Sequence, residues 1–179
     1  MTDTFDKSPV RPHGRTARIL HWGFIAVFIY ALTKQLDEVE ELEDFALLQY
    51  EMAFASVFLL LLIIRFVYMR ARPTAMPEDT PRRDRLLARA VHIGMYAGLS
   101  LVAVTGLCIG ALYWSGIKSG DAMDVVLLLH EIAVNTSYFL IAGHVAAALY
   151  HRRKRDGIWD SMVPVWKEGA PPTTRDVSR

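Results

Sequence analysis

Four long apolar runs divide this 179-residue chain, and they constrain its fold more than any other feature. They lie at about residues 18–34, 46–69, 91–115 and 125–150. A helix needs roughly 20 apolar residues, at 1.5 Å rise each, to cross the hydrocarbon core of a bilayer. The first run is the shortest and, taken alone, would suit a buried helix of a soluble protein. Beside three longer neighbours it reads as a span. The expectation is an all-α fold, a transmembrane four-helix bundle formed by one domain over residues 1–164. A cytoplasmic tail precedes the first helix, and residues 165–179 are expected to be disordered.

Charge sets the orientation. The chain is 53% hydrophobic with a formal net charge of +1, and its charges cluster between the apolar runs. The N-terminal tail carries Lys7, Arg11, Arg15 and Arg18. The loop between the second and third runs carries Arg70, Arg72, Arg82, Arg83, Arg85 and Arg89, and the C-terminal segment opens with Arg152, Arg153, Lys154 and Arg155. The other two loops hold one lysine each, Lys34 and Lys118. Basic residues favour the cytoplasmic side, so both termini and the middle loop are expected there. The N-terminus lacks the apolar core and small-residue cleavage site of a signal peptide, so the first span is expected to be retained. The sequence RPTAMPEDTPRRDR, with three prolines, reads as an irregular connection. Cys108 is the lone cysteine, which rules out an intramolecular disulfide. Gly94/Gly98 and Gly106/Gly110 have the small-xxx-small spacing of close helix packing, either within the bundle or in a homodimer. No nucleic-acid partner is expected.

Ionisable side chains inside such runs are expensive in lipid and mark function by default. Those within the spans or at their ends are His21, Glu51, Arg65, His92, His130, Glu131, His144 and His151. The stretch HEIAVNTSYFLIAGH begins at His130 and ends at His144. Fourteen residues of helix separate two rings by about 21 Å along the axis and return them to within about 40° of one face. The two histidines therefore sit at two depths of one helix. With the topology above, His21 of the first span and His144 of the fourth lie at the same cytoplasmic depth. Two neutral imidazoles facing each other across a bundle can ligate a haem iron from both sides. Zinc is a poorer candidate, since a closed structural site needs four ligands and this depth offers too few. A single membrane histidine also serves as a hydrogen-bonded packing residue. Gly23 and Gly143 beside the pair would let a macrocycle lie close to the backbone.

The sequence at this point resembles a known family. RILHW at 18–22, the Arg65/Arg70 pair, AVHIGMY at 90–96 and HEIAVNTSYFLIAGHVAAALYH at 130–151 are similar to the bacterial cytochrome b561 family. Its members are four-helix inner-membrane b-type cytochromes related to the cytochrome b subunits of nickel–iron hydrogenases. The likeness extends over about residues 15–164. It implies a multi-pass protein of the bacterial inner membrane that passes electrons to or from the quinone pool through haem b. It also implies that His21 and His144 ligate a cytoplasmic-side haem, the pair that topology had already selected.

The resemblance further implies a second haem toward the periplasm, between His130 and a histidine at the start of helix two. Counting back fourteen residues from Arg65 puts that ligand at residue 51, where this chain carries Glu51. A carboxylate matches low-spin haem b poorly, and Met52 would reach the site only if the helix were rotated by about 100°. Three outcomes stand: a haem held by His130 alone, one with an unusual second ligand, or no second haem. The second haem is retained as the expectation, because His130 is present and no residues visibly refill a haem-sized cavity. His92, His151, Arg65 and Arg70 are candidates for haem propionates or, for the histidines, for a quinone's protons; interfacial snorkelling is the competing reading. The first outer loop, KQLDEVEELEDF, holds Asp37, Glu38, Glu40, Glu41, Glu43 and Asp44 against one lysine. Some b561 proteins are superoxide:ubiquinone oxidoreductases, and an acidic entrance opposes an anionic substrate. It would suit a cationic periplasmic redox protein, for which the chain would serve as electron carrier or membrane anchor, or it is a solvated face.

Overall fold

The computed structural model describes residues 14–34, 36, 38–72 and 80–168. Among them the chain is helical without strands: α1 Arg15–Leu32, a 3-10 helix Val39–Glu43, α2 Phe45–Arg70, α3 Arg82–Trp114, α4 Asp121–Lys154 and α5 Ile158–Met162. Three of the four long helices, α2, α3 and α4, are long and apolar enough to cross a membrane, with mean hydropathies of 2.3, 1.9 and 1.7 in their best windows. α1 falls outside that group. It has only 18 residues, and Arg15, Arg18 and His21 occupy its first two turns. The charged ends explain where helices outrun the apolar runs. α3 begins at Arg82 rather than near 91, because a cytoplasmic turn of arginines satisfies its backbone as well as an apolar one does.

Local chemistry sets the ends. Asp44 caps α2, its Oδ1 accepting from the amides of Ala46 at 2.9 Å and Leu47 at 3.4 Å. Pro81 precedes α3. Gly120 enters α4 at φ 95°, a conformation that favours glycine. The last turn of α4 carries His151, Arg152, Arg153 and Lys154, cations placed favourably against the helix dipole.

α4 packs along α3, α3 along α2, and α2 along α1. The glycines of α3 make this possible, and all four face the chain's own helices. A Cβ on Gly94 would lie 3.1 Å from Leu140, and one on Gly98 would lie 2.7 Å from Ser137 Oγ. On Gly106 it would meet His130 at 3.6 Å, and on Gly110 it would lie 2.6 Å from Met52 Cγ. Two buried clusters result. Phe24, Phe58, Leu62, Leu99 and Ala103 form one, and Leu42, Leu48, Ile109, Tyr113 and Met123 the other. Phe139, Ile19, Leu60 and Val125 are among many apolar side chains left on the outside, as expected of a surface that meets lipid.

After α4 the chain turns back through left-handed Arg155 and Gly157. α5 and the residues to 168 form a small cap under α1 and α4. Arg18 donates to the carbonyls of Ser161 and Asp160, both at 3.0 Å, and Trp22 Nε1 to that of Met162 at 3.1 Å. Trp159 is buried beneath the Arg152 guanidinium. The Glu168 carboxylate accepts from the amides of Gly157 and Trp159. Residues 165–168, which sequence assigns to a disordered tail, thus take part in the cap; 169–179 lie outside the described residues.

Candidate functional site

Four helices each contribute one polar side chain to a cluster at the Arg18 end of the molecule. His144 of α4 is central, its ring centroid 6.4 Å from that of His21 on α1 and 5.0 Å from that of His92 on α3. Arg65 of α2 reaches His21 Nδ1 with Nη2 at 2.7 Å. The same guanidinium lies against the rings of Phe24 and Tyr96, and its Nε is buried without a hydrogen-bond partner.

The hydrogen bonds assign protons. A guanidinium only donates, so His21 Nδ1 accepts and the proton of the neutral ring sits on Nε2. His92 is the reverse: its Nδ1 donates to the Ala88 carbonyl at 2.7 Å, which leaves Nε2 with a lone pair. His151, also considered at this end, lies apart. Its Nδ1 bonds Asp156 at 2.7 Å, with Lys154 as that carboxylate's second partner. Arg70 is exposed at the last turn of α2.

This cluster fits a haem. His21 and His144 come from opposite ends of the chain to within 6.4 Å, ring centroid to ring centroid, so that one group between α1 and α4 would engage both. The orphaned Arg65 Nε calls for an anion that the neighbouring side chains do not supply, and a propionate has that chemistry. Cβ atoms added at Gly23 and Gly143 would meet nothing within 4 Å. Among the described residues no group of three or more His, Cys, Asp or Glu side chains is arranged for a bare metal ion.

The second depth is a cavity of about 840 Å³ between the two buried clusters, within the ~300–1,000 Å³ usual for cofactor sites. It shares Phe58, Leu99 and Ala103 with one cluster and Leu42 and Ile109 with the other. His130 and Glu51 both line it. The Thr105 hydroxyl has the carbonyls of Leu101 and Val102 at 2.6 and 3.1 Å, so its proton goes to a carbonyl. Its oxygen then accepts from His130 Nδ1 at 2.8 Å. That bond fixes the tautomer with a lone pair on Nε2, as metal-ligating histidines are commonly held. Met52 does not line the cavity. It packs against Gly110 of α3 within the second cluster, so the α2 register presents residue 51 and not 52.

The mouth of the cavity is acidic. Glu38, Asp124 and Glu131 line it with Lys34. The 3-10 helix folds over this end through buried Leu42, and Glu43 is tied to Lys118 at 3.0 Å. The acidic loop is therefore packed onto the cavity; Asp37 lies outside the described residues.

Thr105 and the cap had no signature in the sequence, since each matters only through a partner distant in the chain, and Tyr96 lay in the AVHIGMY stretch with no role of its own. The family model of prokaryotic cytochrome b561 matches residues 12–165. No curated protein and no solved structure matches the chain.

Proposed function

Because the chain belongs to the prokaryotic cytochrome b561 family of membrane electron carriers, we propose that it exchanges electrons with the quinone pool through two haem b groups at different depths of the bacterial inner membrane. In this reading α1 to α4 form a four-helix bundle, α1 is the fourth span, and both termini with the α2–α3 loop are cytoplasmic, as the arginine distribution supports. The carrying observation is the edge-to-face approach of His21 and His144, two imidazoles from the first and last long helices with ring centroids 6.4 Å apart.

Bound haem supplies a one-electron iron couple; the protein supplies ligands, dielectric and access. His21 and His144 hold the inner group. His21 would hold the group through Nε2 in the tautomer with its proton on Nδ1, and Arg65, now bonded to that Nδ1, would then pair with an anion. Arg65 then neutralises a propionate in a setting where no described carboxylate pairs with it. His92, fixed on Ala88, keeps an acceptor nitrogen beside His144 and is suited to take a quinol's proton. His130, oriented by Thr105, holds the outer group, and Glu51 lines the same cavity from α2.

The acids at the outer mouth favour a cationic periplasmic redox partner over superoxide, which a negative potential repels. The chain would then be the membrane electron-carrying subunit for that partner.

The test is haem stoichiometry by pyridine haemochrome, with optical and EPR spectra of His21→Ala and His144→Ala. Two haems per chain are expected in the wild type. Each variant should lose one haem and its low-spin bands. Full retention of those bands in either variant refutes the inner site.

A further inference from the structure

The outer cavity departs from a symmetrical ligand pair, and its walls show how. A haem held by His130 Nε2 needs its sixth ligand from the wall facing α4. Apart from His130, the polar side chains lining the cavity are Lys34, Glu38, Glu51, Asp124, Glu131 and Tyr138, together with the small hydroxyl of Ser137. Asp124, Glu131, Ser137 and Tyr138 belong to α4, the helix of His130 itself, and Lys34 and Glu38 come from the connection over the mouth. Among the described residues of the long helices, only Glu51 of α2 supplies a polar group from across the cavity. Met52, the soft ligand nearest in sequence, is committed to Gly110. The hydroxyl of Thr105 and the open position of Gly106 hold the His130 ring against α3, so the histidine cannot cross to fill both positions. α3 packs against both α2 and α4, and Glu51 of α2 and His130 of α4 line the same cavity.

We propose that the outer haem is five-coordinate on His130 and that its free face, walled by Glu51, is a binding site for a small neutral ligand. This rests on the outer haem proposed above. A carboxylate oxygen does not hold haem b iron in the low-spin state as a second imidazole does. In its protonated form the Glu51 carboxyl donates a hydrogen bond to a diatomic bound beside it, which has no proton of its own to give. The acidic mouth selects for charge: a neutral diatomic enters freely, whereas an anion must pass Glu38, Asp124 and Glu131.

The experiment uses purified holoprotein in detergent, reduced with dithionite and titrated with carbon monoxide, with azide added to the oxidised form in parallel. About half of the haem should shift its Soret band with carbon monoxide, and oxidised protein should show a high-spin EPR signal of similar weight. His130→Ala should remove the responding haem and leave the other. Glu51→His should keep two haems, convert the high-spin signal to low-spin, and weaken carbon monoxide binding more than tenfold. Glu51→Gln should keep carbon monoxide binding and strengthen that of azide. Two haems per chain that are both low-spin and silent to carbon monoxide would overturn the open site while leaving the two-haem reading intact. One haem per chain, unaffected by His130→Ala, would overturn both. Carbon monoxide binding that survives His130→Ala would move the open position to the inner haem and overturn the proposal.

Discussion

The seam between α3 and α4 carries both depths, which makes Gly98→Ala a revealing perturbation. The new methyl would sit 2.7 Å from Ser137 Oγ, about 0.7 Å inside ordinary contact. Ser137 is 1% exposed, and its hydroxyl donates to the Ala133 carbonyl at 2.7 Å. Relief therefore takes one of two routes. Rotating Ser137 strands a buried hydroxyl, which costs about 1–3 kcal/mol. Spreading the helices instead overpacks the seam, at a similar ~1–3 kcal/mol. Spreading also lengthens the Thr105–His130 bond two turns along α3 and alters the cavity that Ser137 and Leu99 line. Unfolding in dodecylmaltoside–SDS mixtures, followed by circular dichroism, should show a loss of about 1–3 kcal/mol. Ser137→Ala removes the clashing atom, so the double variant should recover most of the loss, a coupling expected only of residues in contact. A Gly98→Ala protein as stable as wild type, or a double variant whose losses simply add, would refute this account of the seam.

Three further outcomes follow from the sites. Thr105→Val removes the side-chain acceptor for His130, leaving the Val102 carbonyl, and should weaken outer-haem retention about two- to tenfold, as one net hydrogen bond of ~0.5–1.5 kcal/mol implies, while Thr105→Ser stays near wild type; haem release to apomyoglobin measures this. Arg65→Leu should lower inner-haem affinity roughly ten- to a hundredfold, the worth of a charged hydrogen bond, and should leave binding of haem dimethyl ester, which lacks charged propionates, unchanged. Converting Glu38, Glu40, Glu41 and Glu43 to Gln should slow electron exchange with a basic cytochrome c at low ionic strength and flatten its salt dependence; an unchanged rate in stopped flow would reduce the loop to a solvated face.

The long helices were legible because the apolar runs are nearly as long as a bilayer is thick, and each is found as one continuous helix. Their ends were less so: hydropathy marks where lipid stops, whereas a helix continues as far as its backbone is satisfied, as at Arg82. Counting fourteen residues back from Arg65, as the family resemblance implies, led to Glu51, which lines the cavity from α2 together with Phe54, Ala55 and Phe58. Residue spacing could not decide whether the glycines of α3 serve a dimer or the chain itself; that needed Leu140, Ser137, His130 and Met52 in place. Thr105 is 25 residues from the ring it orients, and Arg18 is 143 from the carbonyl it grips. No local pattern encodes such pairs.

The grip of Arg18 and Trp22 on residues 160–162 has a consequence for order of synthesis. α1 emerges from the ribosome first, and the carbonyls that tether it emerge among the last residues described. Until then α1 leans on α2 and, through Phe24, on Leu99 and Ala103 of α3. The first and last long helices, which carry His21 and His144, are therefore tied together only once residues 160–162 have followed α4. The short segment after α4 is thus the bolt that holds the two histidine-bearing helices at one depth.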